Sequence, residues 1–203
     1  MSVLLLLVDV QRAFCDPDGS IAQQGRPIDA MARAAAACAR LAAEARRRNV
    51  PVVWTRMIYR PDYSDGGRLI NELRPNLKRI GALRAGTPDV EISPSAGAQP
   101  GDIVVDKTRY SALIGTDLER LLRARGVERV VLAGVTTSMC VETTARDLSQ
   151  RDFETVVVRD ACGDFAADRH EASLAALAFG FARVVDIDEG IAALDSPEFA
   201  AAG

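Results

Sequence analysis

Six apolar runs, most of them rich in β-branched residues, constrain this chain more than any other feature. They are VLLLLVDV (3–10), PVVWTR (51–56), DIVVDK (102–107), RVVLAGV (129–135), TVVVRD (155–160) and ARVVDI (182–187). Most of the intervals between them have helical periodicity, so the chain alternates strand and helix. Strands apolar along their whole length must be covered on both faces, and a parallel sheet between two helical layers provides that cover. The expected fold is therefore α/β, a three-layer α-β-α sandwich around a mainly parallel, Rossmann-like sheet of about six strands. With 48% of its 203 residues apolar, the chain is expected to form a single domain over residues 1–203 with one active site.

The first helix is expected within Pro27–Asn49. There Ala32, Ala35, Ala36, Ala39 and Ala43 offer a small-residue face, and Arg46 to Arg48 suit the negative end of the helix dipole. Arg60 to Gly101 is the least regular stretch. Pro61, Gly66, Gly67, Pro75, Pro88, Pro94 and Pro100 break it into turns and short helices, the natural place for a lid or specificity loop.

The formal net charge is −3, with no basic block and no aromatic-basic stripe, which argues against nucleic acid and leaves a neutral or small anionic metabolite. The apolar amino-terminal run has neither a basic leader nor a small-residue cleavage site, so it reads as a buried strand. No apolar stretch approaches the roughly 20 residues that cross a bilayer, so no membrane partner is expected. The four cysteines lack metal-ligand or secretory spacing, and a reducing cytoplasm is the expected location.

Open parallel sheets bind ligands at the carboxyl ends of their strands, where three reactive side chains recur. Asp9 closes the first run, Lys107 closes DIVVDK, and Cys140 follows RVVLAGV where a helix is expected to open near Ser138. Backbone N–H groups at a helix start would lower a thiol pKa and could bind an oxyanion. A buried structural cysteine is the plainer alternative for Cys140. Likewise Asp9 could merely cap a loop, and Lys107 could be a solvated strand end. Cys38 reads as helix packing, while Cys15 and Cys162 read as loop residues after strands. The only histidine, His170, sits at a helix start and suits a structural role. A carboxylate must then take the thiol proton, with an ammonium to stabilise the thiolate.

The segments LLLVDVQRAFCDPDGS, DKTRYSAL and VVLAGVTTSMCVETTARDLSQRDF, in this order, resemble the isochorismatase-like hydrolases. That family includes nicotinamidases, isochorismatase, and the N-carbamoylsarcosine, ureidoacrylate and biuret amidohydrolases. The resemblance implies that Asp9 is the general base, that Lys107 stabilises charge beside it, and that Cys140 attacks an amide carbon to give a thioester. It also implies a cis peptide at Val135–Thr136, aiming the backbone amides of Thr136 and Cys140 at an oxyanion. Metal-binding relatives carry an aspartate and two histidines after the second strand, whereas TRMIYRPDYSDGG here has no histidine, so neither metal nor other cofactor is expected. Isochorismatases lack the cysteine, so Cys140 points to C–N cleavage.

The resulting expectation is an amidohydrolase for a small carbamoyl, ureido or simple amide, working as a homo-oligomer, a dimer or tetramer. Phe14, Arg56, Tyr63 and Tyr110 are candidate substrate contacts, each with an ordinary packing or surface role as the alternative. A metal-free nicotinamidase-type amidase acting on an aromatic amide competes with this reading. A non-catalytic binding protein on the same fold would not need the complete Asp9, Lys107, Cys140 set.

Overall fold

The computed structural model describes residues 2–195. Each apolar run becomes a strand: β1 (Ser2–Val8), β2 (Val52–Met57), β3 (Ile103–Lys107), β4 (Val127–Val135), β5 (Glu154–Gly163) and β6 (Arg183–Val185). All pair in parallel, in the order β3-β2-β1-β4-β5-β6. The order reverses between β1 and β4, and such a switch point opens a crevice at the carboxyl ends of the strands. Leu4 to Val8 of β1 are completely buried, as a central strand covered on both faces requires.

Among the described residues seven helices connect and cover the sheet: α1 (Arg12–Cys15), α2 (Asp29–Arg47), α3 (Pro75–Arg79), α4 (Leu118–Ala124), α5 (Glu142–Ser149), α6 (Ala167–Gly180) and α7 (Ile187–Ala192). Helix α2 packs on β4 and β5 and against α7, while α5 and α6 pack together. The buried face of α2 is Met31, Ala34, Ala35, Cys38, Leu41, Ala42 and Ala45, not the expected alanine set. Ala36 and Ala43 are exposed. Alanine surrounds this helix and does not mark a side, so the larger Met31, Cys38 and Leu41 decide which stripe goes in.

Two cysteines also lie elsewhere than expected. Cys15 ends α1, and Cys162 is within β5, which continues past its apolar run after a register shift against β4. Residues 60–101 hold only short helical pieces, as their prolines and glycines require: Leu69–Leu73, α3, Pro88–Val90 and Pro94–Ala96. Among the described residues, no helix is long and apolar enough to cross a membrane.

Candidate active site

Three strand ends meet in the crevice. Asp9 follows β1 with φ 52°, a left-handed conformation that aspartate tolerates better than most residues. Its amide donates to both the carbonyl oxygen and the Oγ1 of Thr55, each at 3.2 Å, and the Thr55 hydroxyl returns a 2.7 Å hydrogen bond to Asp9 Oδ1. Lys107 is the last residue of β3, beyond β2 from β1. Its Nζ lies 2.7 Å from Asp9 Oδ2, with both side chains wholly buried, and donates to the Arg109 carbonyl at 3.0 Å.

Cys140 lies in a wide helical turn, Thr137–Val141, that joins β4 to α5. The Val141 amide reaches back to the Thr136 carbonyl at 3.2 Å, and the Val135–Thr136 peptide is cis. The chain enters this turn through Gly134, opposite Val8 and at φ 127°. A Cβ at Gly134 would collide with the Val8 backbone, so only glycine lets β4 come this close beside Asp9. The turn is held from outside by Asp164, whose carboxylate accepts from the Ser138 amide (2.8 Å) and hydroxyl (2.7 Å) and from the Phe165 amide (2.8 Å). His170 Nδ1 shares a 2.9 Å hydrogen bond with the Thr137 hydroxyl.

The buried Cys140 thiol lies within electrostatic reach of both the Asp9 carboxylate and the Lys107 ammonium. Burial pushes its pKa well up, Lys107 pulls it down and Asp9 pushes it up again. Desolvation is the largest of these influences, so the thiol pKa lies above its ordinary value, the opposite direction to the acidification expected from a helix start. For Lys107, burial opposes the charge, but Asp9 and then Cys140 more than restore it, and its pKa is raised. The other cysteines are buried as well, and Cys38 Sγ donates to the Ala161 carbonyl at 3.4 Å.

A cavity of about 220 Å³ opens over Cys140. Of the four candidate contacts, Phe14 and Tyr110 line it and Arg56 and Tyr63 do not. Arg56 follows Thr55, so it leaves the opposite face of β2 and forms a bidentate pair with Asp106 at 2.8 and 3.0 Å. Tyr63, at φ 60°, turns into the core, where its hydroxyl donates to the Ala82 carbonyl at 2.8 Å. Met57, Met139 and Phe165 also form the wall, together with Arg26, Arg74 and Arg79. Cys162 lines a different depression and Cys15 neither.

Burial raises the Tyr110 pKa. The Arg74 charge draws it back, Cys140 raises it, and Lys107 draws it back. Tyr110 shares the cavity wall with Arg74 and Cys140. Sequence reasoning missed Thr55, although a hydroxyl ending an apolar strand was a usable signal. It also missed the arginines, which lie in segments without periodicity. Among the described residues, no group of three or more histidine, cysteine or acidic side chains could hold a metal ion.

Residues 3–189 match the isochorismatase domain model. The chain is 33% identical over 214 residues to the ureidoacrylate amidohydrolase RutB of Methylobacterium radiotolerans, covering 100% of this chain and 83% of that protein. It is 35% identical over 171 residues to the maleamate amidohydrolase of Pseudomonas putida, covering 84% and 76% respectively. Among solved structures, a cysteine hydrolase from Pseudomonas syringae pv. phaseolicola superposes with a TM-score of 0.86 at 33% identity, covering 96% of this chain and 92% of the other. The chain belongs to the isochorismatase family.

Proposed function

We propose that this isochorismatase-family amidohydrolase cleaves the C–N bond of a small carbamoyl, ureido or simple amide compound through a thioester on Cys140. One observation carries the reading: the Cys140 thiol at the edge of a cavity is coupled electrostatically to a buried carboxylate and a buried ammonium that pair at 2.7 Å. Asp9 takes the thiol proton as sulfur attacks the carbonyl carbon, and Lys107 compensates the negative charge that then lies on sulfur. The oxyanion forms against the backbone amides of Thr136 and Cys140. Its collapse breaks the C–N bond, and the leaving nitrogen takes the proton from Asp9 to depart as ammonia or an amine. Water then attacks the thioester, with Asp9 accepting its proton. The acid is released, and the thiol takes the proton back.

The test is ammonia release from a panel of simple amides, ureido acids and biuret, with intact-mass analysis of stopped reactions. An acyl adduct present in the wild type and absent in Cys140→Ala supports the mechanism. Turnover by Cys140→Ala at the wild-type rate sinks it. A nicotinamidase-type activity is the second reading, favoured by the aromatic wall of Phe14, Tyr110 and Phe165. Nicotinamide turned over much faster than any linear amide in the same panel would establish it.

A further inference from the structure

Asp164 is a buried carboxylate to which the chemistry above gives no part. It follows β5 directly, and its side chain is 1% exposed. A charge so placed is costly unless it is paired or saturated with hydrogen bonds. Pairing is weak here, because Arg169 stands 3.4 Å away with 47% of its own side chain in solvent, where an ion pair is screened. Hydrogen bonds hold the group instead. Oδ2 accepts from the Ser138 amide at 2.8 Å and the Ser138 hydroxyl at 2.7 Å, and Oδ1 accepts from the Phe165 amide at 2.8 Å. Asparagine has one acceptor oxygen, and its amino group would meet one of these donors head-on, so a carboxylate is what answers all three.

The owners of these donors decide the role. Ser138 lies two residues before Cys140, in the opening residues of the turn Thr137–Val141, where a backbone amide lacks an acceptor within the turn. The Met139 and Val141 amides, on either side of Cys140, both reach the Thr136 carbonyl at 3.2 Å. The turn is thus closed on Thr136, and a shift of Ser138 carries Cys140 with it. His170 grips the same turn only by the Thr137 side chain, whereas Asp164 grips its backbone. Phe165, on the other oxygen, shares the cavity wall with Cys140, while Asp164 itself lines the neighbouring depression. The charges that act on the thiol are Lys107 and Asp9, so Asp164 reaches the sulfur through geometry.

Resting on the reading of Cys140 as nucleophile, we infer that Asp164 is a positioning residue: its carboxylate fixes the sulfur turn against the cavity wall without touching substrate. Losing it should misplace the sulfur while leaving the cavity able to bind.

The test measures kcat and KM for ammonia release, with the member of the amide panel that turns over fastest, alongside urea unfolding. Asp164→Ala is expected to lower kcat about 100-fold, the effect of a misplacement near 1 Å, with KM within about threefold of wild type. Asp164→Asn keeps one acceptor for Ser138 and should recover about tenfold of that loss. Should Asp164→Ala fail to fold, Ser138→Ala decides. It removes only the hydroxyl arm and should lower kcat several-fold, and Ser138→Thr should restore it. Asp89→Ala is the structural control, because Asp89 accepts from the Ser20 amide, the Ser20 hydroxyl and the Leu83 amide, a similar donor set with none on the sulfur turn. It should lose stability but keep kcat within about twofold. Wild-type kcat in Asp164→Ala or Ser138→Ala, a loss confined to KM, or an equal kcat loss in Asp89→Ala would each overturn the assignment. Cys140→Ala separates the two readings. If it turns over like wild type, the nucleophile is wrong; if it is dead while Asp164→Ala is unimpaired, only the positioning role falls.

Discussion

The buried pair Asp9–Lys107 makes a quantitative prediction about stability that is separable from its part in the chemistry. Both side chains have no exposure, and their charged atoms lie 2.7 Å apart. At that distance, and with an effective dielectric of about 20, the attraction is roughly 6 kcal/mol, against a desolvation penalty of several kcal/mol per ion. Removing one partner keeps the penalty on the survivor and loses the attraction, so Asp9→Asn and Lys107→Met should each destabilise by about 3–5 kcal/mol. Asparagine is the right replacement for Asp9 because it too accepts the left-handed φ of 52°. The double variant leaves no buried charge and should be more stable than either single one, so the two effects are strongly non-additive. Catalysis should not recover with it. Each single change is expected to lower turnover by about 10²–10⁴ and the double to be no better, since the base and its counter-charge act together. Urea unfolding at pH 7 on the four proteins, beside a turnover assay, reads both quantities. Single-variant losses that simply add in the double would refute the buried-pair account, and wild-type turnover in the double would refute the catalytic one.

Cys140→Ala should abolish turnover with little change in unfolding midpoint, while Cys15→Ala and Cys162→Ala stay active; a dead Cys15 or Cys162 variant with an active Cys140 variant would relocate the nucleophile. Prolonged chelation should leave the rate unchanged, and a stoichiometric metal whose removal stops turnover would contradict this. Stability should fall above pH 9. Burial raises Cys15, Cys38 and Cys140 above their ordinary 9.0 and pushes Cys162 up to about 12. The folded state therefore keeps protons that the unfolded chain releases; the stabilisation is complete below pH 9 and is lost as pH rises towards the folded values. The slope should reach about 1.4 kcal/mol per pH unit for each such thiol, and Cys38→Ala should make it shallower. A urea midpoint that stays flat from pH 8 to 10.5 under reducing conditions would refute it.

The layered fold was legible because six runs such as LLLLV and VVWT have few alternatives to a doubly covered strand. That Asp9, Lys107 and Cys140 lie near one sheet edge was legible for the same reason: each sits at or shortly after the end of such a run, where the topology sends side chains to one edge. Legibility fails where side-chain direction depends on a neighbour distant in sequence. Thr55 and Arg56 differ by one position, yet β-strand alternation sends the first to Asp9 and the second to Asp106 on the outer face. Which of the two faced the site depended on the pairing of β2 with β1, and that register is not local information. Tyr63 looked like a loop residue available to substrate, but its positive φ turns it under Ala82. Arg74 lay in a segment without periodicity, so nothing local placed it at the cavity that Cys140 lines.

The sheet order explains why Thr55 belongs to the site at all. Lys107 and Asp9 end strands that are not neighbours, with β2 between them. For their charged atoms to meet at 2.7 Å, the lysine stem must cross the carboxyl end of β2. There Met57 pairs with Lys107, and Thr55 pairs with Val8, the residue before Asp9. A long side chain at Thr55, on the face that meets Asp9, would stand in that crossing. A small apolar one would leave Asp9 Oδ1 without its 2.7 Å donor and the Asp9 amide without one of its two acceptors. Threonine satisfies both demands: it is β-branched and suits a buried strand, and its hydroxyl turns the carboxylate so that Oδ2 faces the ammonium. The ionic pair is thus held in register by hydrogen bonds from the strand it crosses.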